Sequence, residues 1–143
     1  MRMKKYARVM VGLTLAVAVV GCKSSKSATS AAVKVTDIDV GRSVAADKTI
    51  ADKTETFRPG DTFYVAVKTV GSAPTATLVA HWSYEDGQRI SEATQTIAPS
   101  GPAVTEFHLS RPNGPADGWP TGDYKVEIVL NGVSARTEKF KVQ

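Results

Sequence analysis

Cysteine and histidine are scarce in this 143-residue sequence, which holds one of the first and two of the second. A lone cysteine cannot form an intrachain disulfide, so a folded domain must rely on buried apolar surface and hydrogen bonds. Two histidines without an HExxH or another paired ligand spacing are weak grounds for a metal site. A GxSxG nucleophile sequence is also missing. The sequence therefore predicts no catalytic residues, no metal and no cofactor.

An excess of basic charge is missing from most of the chain. Lysine and arginine total 18 against 14 aspartates and glutamates, but four of the basic residues lie within the first eight positions. From Cys22 onward, acidic and basic residues are equal in number. No basic stripe remains to neutralise a phosphate backbone, so nucleic acid is not an expected partner.

The amino-terminal residues have the arrangement of an export signal. Four basic residues precede an apolar run over 9–20, and Gly21 supplies a small residue before Cys22. A basic region, a short apolar region and a small cleavage residue together define a secretory signal peptide. The run is too short to span the ~30 Å hydrocarbon core of a bilayer. Residues 1–21 are therefore predicted to be removed.

The segment Val19-Val20-Gly21-Cys22 resembles the lipobox of bacterial lipoproteins. The resemblance implies a diacylglyceryl group on the Cys22 thiol, cleavage between Gly21 and Cys22, and acylation of the new amino terminus. Two or more acyl chains would attach the protein firmly to a membrane. The alternative is an ordinary secretory signal with an incidental cysteine.

The residue after the cysteine bears on sorting. In the best-known Gram-negative lipoprotein system an aspartate at this place retains the protein in the inner membrane, whereas here the residue is Lys23. We therefore expect an anchor in the outer membrane with the protein facing the periplasm. A Gram-positive outer surface stays open as an alternative. Residues 22–32 are small and polar beyond the cysteine, which predicts a flexible tether with a reach of about 17 Å.

Residues 33–143 alternate apolar and polar side chains with a period of two and show no sustained helical period. Asp86-Gly87 and Asn131-Gly132 are typical of tight hairpin turns. About seven short strands predict one all-β domain, an antiparallel immunoglobulin-like (Ig-like) β-sandwich. Trp82 on a middle strand and Tyr124 near the start of the penultimate strand fit that fold. Because the disulfide is missing, fibronectin-like and other sandwich topologies remain open.

Four segments resemble a pattern in Ig-like domains of bacterial envelope lipoproteins. They are Phe57–Val65, His81–Gly87, Gly118–Val126 and Leu130-Asn131-Gly132. The match extends over nearly the whole domain from Val33. The resemblance implies the fold and the compartment, and it adds no catalytic residue.

Trp119 is the candidate partner-binding residue. It lies in a segment rich in proline and glycine, and tryptophans are enriched at interface hot spots. The alternative is that Trp119 folds back and caps one end of the core.

Two functions follow from these observations. The first is a lipid-anchored, non-enzymatic module that binds a protein or glycan partner in the cell envelope, or that serves as an accessory subunit or scaffold. The second is an envelope hydrolase or metal-dependent enzyme that uses His81 and His108 with an acid such as Glu106. An envelope spacer without a specific ligand is not distinguished from the first by sequence.

Overall fold

The structure is a computed structural model that describes residues 32–111 and 118–143. The predicted signal peptide, the predicted lipidation and cleavage residues Cys22 and Gly21, and nearly all of the predicted tether lie outside these ranges. Within them the regular secondary structure consists of β-strands. No helix in those two ranges has the length and apolarity to cross a bilayer.

The described residues form eight strands. In chain order they are β1 (Lys34–Gly41), β2 (Thr56–Phe57), β3 (Phe63–Val70), β4 (Ala76–Tyr84), β5 (Gln88–Ile97), β6 (Ala103–Leu109), β7 (Gly122–Leu130) and β8 (Val133–Val142). They build a three-stranded sheet in the order β1-β3-β6 and a five-stranded sheet in the order β2-β8-β7-β4-β5. The predicted all-β sandwich is confirmed.

One strand pair departs from the expected antiparallel arrangement. Strand β2 has two residues and runs parallel to the end of β8, with Thr56 opposite Lys141 and Phe57 opposite Val142. To the predicted antiparallel strands the structure thus adds one short parallel edge strand. A two-residue strand has no period to read, and a buried side chain, that of Phe57, holds it in place.

A cluster of aromatic rings fills one half of the core and lies between the two sheets. Phe63 is at its centre and is fully buried. Five rings lie with their centroids 4.7 to 6.2 Å from that of Phe63, and they belong to Phe57, Trp82, Trp119, Tyr124 and Phe140. Tilted, offset and edge-to-face pairs of this kind add to the stabilisation from apolar burial. Aromatic packing therefore holds the sheets together in a domain without a disulfide.

Tyr124 and Trp82 occupy the positions expected for an Ig-like fold. Tyr124 lies near the start of β7, and its hydroxyl donates a hydrogen bond of 2.7 Å to the carbonyl oxygen of Pro120, four residues upstream. This is the tyrosine corner of Ig-like sandwiches. Trp82 is buried on β4, and its Nε1 has no hydrogen-bond partner among the described residues.

The predicted Asn131-Gly132 hairpin is also observed, between β7 and β8. Both residues have positive φ, 49° for Asn131 and 81° for Gly132. A two-residue turn of this kind matches the right-handed twist of the strands that it joins. The turn pairs Leu130 with Val133 and Val129 with Ser134, and the register then shifts by one residue at Ala135. Beyond this bulge Val126 and Ile128 face the core.

The strand directions give the sandwich two distinct ends. The first, called here the Lys34 end, holds the start of β1 and the turns that join β3 to β4, β5 to β6 and β7 to β8. The second, the Trp119 end, holds the loop between β1 and β3, the β4–β5 turn and the connection from β6 to β7. Strand β4 has nine residues, so the ends lie about 30 Å apart at about 3.3 Å per residue.

Candidate functional site

His81 and His108 lie on different sheets. His81 is on β4 in the five-stranded sheet and His108 is on β6 in the three-stranded sheet. Each alternates with buried neighbours, Trp82 in one strand and Phe107 in the other. Both histidines therefore point away from the core, on opposite outer faces of the sandwich. The structure does not bring together the pair on which the enzyme hypothesis depends.

The carboxylates around the histidines are not arranged to bind one metal ion together with them. His81 Nε2 lies 3.2 Å from a carboxylate oxygen of Glu92, and His81 Nδ1 lies 3.4 Å from one of Glu127. The two acids thus contact opposite ring nitrogens. His108 Nδ1 contacts Glu106 at 2.8 Å on the other sheet. No group of three or more metal-ligating side chains with suitable geometry occurs in the part of the chain that the structure describes.

Trp119 is half-buried and is held by three contacts at the Trp119 end. Its ring stacks on Phe63 with centroids 4.7 Å apart, and its Nε1–H donates a 2.9 Å hydrogen bond to the carbonyl oxygen of Asp61. Its backbone N–H donates to the carbonyl oxygen of Pro59. The preceding Gly118 permits this approach, because a Cβ there would lie 2.6 Å from the Pro59 Cβ.

The Trp119 ring caps one end of the core, the second of the two alternatives, and it also borders a groove. Its contact with Phe63 caps the aromatic core. The rest of its surface borders a groove, called here the Trp119 groove, with a volume of about 590 Å³. The groove is lined by Tyr84, Gln88, Ile90, Ser91, Leu109, Ser110, Arg111, Trp119, Pro120 and Tyr124.

A β-bulge directs Ile90 to this groove. Strand β5 pairs Ser91 with Trp82 and Arg89 with Ser83, so Ile90 is the extra residue between these two pairs. Bulges re-aim side chains at sheet edges and are enriched near functional sites. Strand β5 is an edge of the five-stranded sheet, and Ile90 keeps 37% of its surface exposed.

Arg111 is the charged residue among those that line the groove. Its guanidinium carbon lies 5.5 Å from the centroid of the Trp119 ring, a cation–π distance. The same group donates a hydrogen bond to the carbonyl oxygen of Gly118. Arg111 is thus fixed beside the indole, where it places one positive charge on a surface of aromatic, aliphatic and a few uncharged polar side chains.

Two tyrosines complete the wall of the groove. Burial raises the pKa of Tyr124 to about 12, and the nearby Tyr84 adds to the shift. Desolvation also raises the pKa of Tyr84, and the negative charge of the nearby Glu85 adds to the shift. Both hydroxyls are therefore neutral at physiological pH. Each donates to a backbone carbonyl, that of Thr121 for Tyr84 and that of Pro120 for Tyr124.

Sequence reasoning identified Trp119 and missed the rest of the groove. The sequence patterns do not single out Tyr84, Leu109 or Arg111 as site residues. One signal was available, because Ile90 is one of two large aliphatic residues on the otherwise polar strand β5. An isolated aliphatic side chain on an edge strand indicates a local contact, but its partners come from β6 and β7 and are distant in sequence.

Comparison with known proteins supports the fold. No family model and no curated protein matches the chain. The C-terminal domain of wzt is similar, with a TM-score of 0.54 and 13% identity over 78% of this chain and 73% of that one. An immunoglobulin-like protein from Pseudomonas aeruginosa is similar with a TM-score of 0.51 and 15% identity over 80% and 99%.

A third similar structure is a much longer protein. The alkylpurine DNA glycosylase AlkC of Pseudomonas fluorescens, bound to DNA containing an abasic site analog, gives a TM-score of 0.52 and 11% identity over 78% of this chain. This chain spans only 30% of the glycosylase. At such low identities the similarities show a shared architecture and no shared activity. The chain has an Ig-like β-sandwich fold.

Proposed function

We propose that this protein is a lipid-anchored, non-enzymatic module of the bacterial cell envelope that binds a partner in the Trp119 groove. The groove itself is the observation that carries the proposal. It combines aromatic and aliphatic walls with one positive charge. Pockets with mostly apolar walls and few polar groups are typical of binding sites, and binding residues often lie at the ends of a rigid β-scaffold.

The amino-terminal sequence supports the anchor. The lipobox-like segment that ends at Cys22 implies acylation, and Lys23 favours outer-membrane delivery with the domain in the periplasm. The first described residue is Ala32, two positions before β1 at the Lys34 end. An anchor on that side leaves the Trp119 groove at the opposite end, accessible to other components of the envelope.

A protein partner is favoured over a glycan. Sugar rings bind proteins by stacking on an open aromatic face, but the Trp119 ring already stacks on Phe63 and has the Arg111 guanidinium over it. Ile90 instead offers an exposed aliphatic surface at the groove. An inserted apolar side chain of a protein partner would complement this surface.

Photo-crosslinking in intact cells tests the proposal. A photoreactive amino acid replaces Gln88, an exposed residue of the groove. We expect one dominant crosslinked protein in the wild-type background. Ile90→Glu should abolish it because a charge would occupy the aliphatic part of the groove. Thr94→Glu is the matched control, since Thr94 is exposed on the same strand and does not line the groove.

The remaining outcomes have distinct meanings. Loss of the crosslink in Cys22→Ala would show that binding requires the anchor. A crosslinked product that a glycosidase shifts would identify a glycan partner. The same crosslinks in the Ile90 and Thr94 variants, or none in any strain, would refute groove binding and leave a spacer.

A further inference from the structure

The Lys34 end of the sandwich is almost free of charge. It comprises residues 32–34, 70–76, 97–103 and 130–134. Lys34 is the one Asp, Glu, Lys or Arg among these residues, in a chain that is 22% charged. The three turns consist of small and uncharged residues, including prolines and glycines. A surface of this kind can leave bulk water without the large desolvation cost of buried charges.

Two exposed aliphatic side chains lie at the same end. Val133 follows the β7–β8 turn and keeps 69% of its surface exposed, and Val70 ends β3 with 38% exposed. Val70 pairs with Lys34 across β1 and β3. Ile90, the third large aliphatic residue with an exposed surface among the described residues, lies instead in the Trp119 groove.

The opposite end has a different composition. The loop between β1 and β2 carries an ion pair between Arg42 and Asp52 at 3.0 Å. The β4–β5 turn adds Glu85 and Asp86, both exposed. The scarcity of charge at the Lys34 end is therefore a local property of that end.

We propose that the Lys34 end rests on the lipid headgroup surface to which the protein is anchored. Val133 and Val70 enter the interfacial layer, and the Lys34 ammonium lies beside lipid phosphates, to which positive groups are attracted. The inference rests on the proposed lipid anchor at Cys22. Between that cysteine and Ala32 the chain has nine residues, which at about 17 Å reach keep this end close to the bilayer.

The proposed anchor at Cys22 itself brings the bilayer next to the Lys34 end. The short tether would hold the membrane next to this surface at all times. A protein partner would have to displace the membrane before it could bind there. Docking would also turn the Trp119 groove away from the bilayer, because the groove lies at the opposite end of the strands.

Lipid-dependent quenching tests the contact with the full lipidated protein in vesicles of phosphatidylethanolamine and phosphatidylglycerol. Acylation blocks the only cysteine, Cys22, so a fluorophore can be attached to Val133→Cys. Asp86→Cys, in the exposed turn of the opposite end, is the matched control. Lipids with spin-labelled headgroups should quench most of the fluorescence at position 133 and none at position 86.

A second variant separates the contact from the label. The fluorophore is here attached to Ser100→Cys, at an exposed position of the Lys34 end. Its quenching should be strong when residue 133 is the native valine, and it should be lost when Val133→Asp is added. Equal quenching at positions 133 and 86, or none at either, in protein that floats with the vesicles would overturn docking and leave the anchor intact. Protein that fails to float would refute the anchor and the docking with it.

Discussion

Removal of one hydroxyl group, in Tyr124→Phe, tests the tyrosine corner. The hydroxyl donates a 2.7 Å hydrogen bond to the Pro120 carbonyl, and a protein hydrogen bond contributes about 0.5 to 1.5 kcal/mol net. Pro120 is exposed, so water can satisfy the carbonyl left behind. We expect the free energy of unfolding to fall by about 1 kcal/mol at pH 7. For a domain of this size the melting temperature should fall by about 4 °C.

The same substitution should change the alkaline stability profile. Burial raises the pKa of Tyr124 to about 12 in the folded protein, whereas an unfolded tyrosine has a pKa of about 10. Above pH 10 the unfolded state therefore loses the proton first, and folding stability falls as pH rises towards 12. The side chain is 3% exposed, and the loss from this group should approach about 2 to 3 kcal/mol. The phenylalanine of the variant has no proton to lose, so its stability profile should lack this component.

Urea unfolding followed by tryptophan fluorescence measures both effects. The stability deficit of Tyr124→Phe should be largest at pH 7 and should shrink or reverse between pH 10 and 11.5. Tyr64→Phe is the matched control, because Tyr64 lies on β3 beside His108 on an outer face and should change stability by less than about 0.5 kcal/mol. A deficit that stays constant across this pH range would refute the assignment of a buried, neutral phenol to Tyr124.

Three further substitutions test other contacts of the fold by denaturant unfolding. Hydrogen bonds from Lys53 and Lys68 outweigh partial burial and hold the pKa of Asp39 below its usual value, so Asp39→Asn should cost about 1 kcal/mol at pH 7 and nothing well below pH 4. Burial and a neighbouring carboxylate raise the pKa of Glu138, so Glu138→Gln should stabilise the protein by about 0.5 kcal/mol at pH 7, with the gain lost at low pH. A constant effect from pH 3 to 7 would contradict either assignment. Trp119→Phe keeps a ring against the core but removes the Nε1–H hydrogen bond, which should cost about 1 kcal/mol; no loss of stability would show that this bond adds nothing.

Local patterns predicted the parts of the fold that depend on neighbouring residues. Alternation located the long strands, and Asn131-Gly132 predicted a turn whose two residues do have positive φ. Trp82 lies on a middle strand and Tyr124 lies near the start of the penultimate strand, and these two positions indicated an Ig-like core. These features need only the period of a strand or the φ preference of a turn residue.

Long-range contacts account for what the sequence did not predict. Strand β2 exists because Thr56 and Phe57 pair with β8, more than eighty residues away in sequence. The two alternatives for Trp119 could not be separated because its hydrogen-bond partner, Asp61, is 58 residues away. The groove depends on a β-bulge at Ile90. A bulge changes the direction in which a side chain points, and no local sequence pattern marks it.

The opposite placement of the chain entry and the groove has a mechanical consequence. A force between a membrane anchor at the Lys34 end and a partner in the Trp119 groove would act along the strands. Strand β1 would then be loaded in shear against β3, with the hydrogen bonds from Lys34 to Gly41 sharing the force at once. Breaking them would require many bonds to fail together, rather than one after another as in peeling. With the proposed anchor and the proposed partner in these places, the domain would transmit tension along its strands without unfolding.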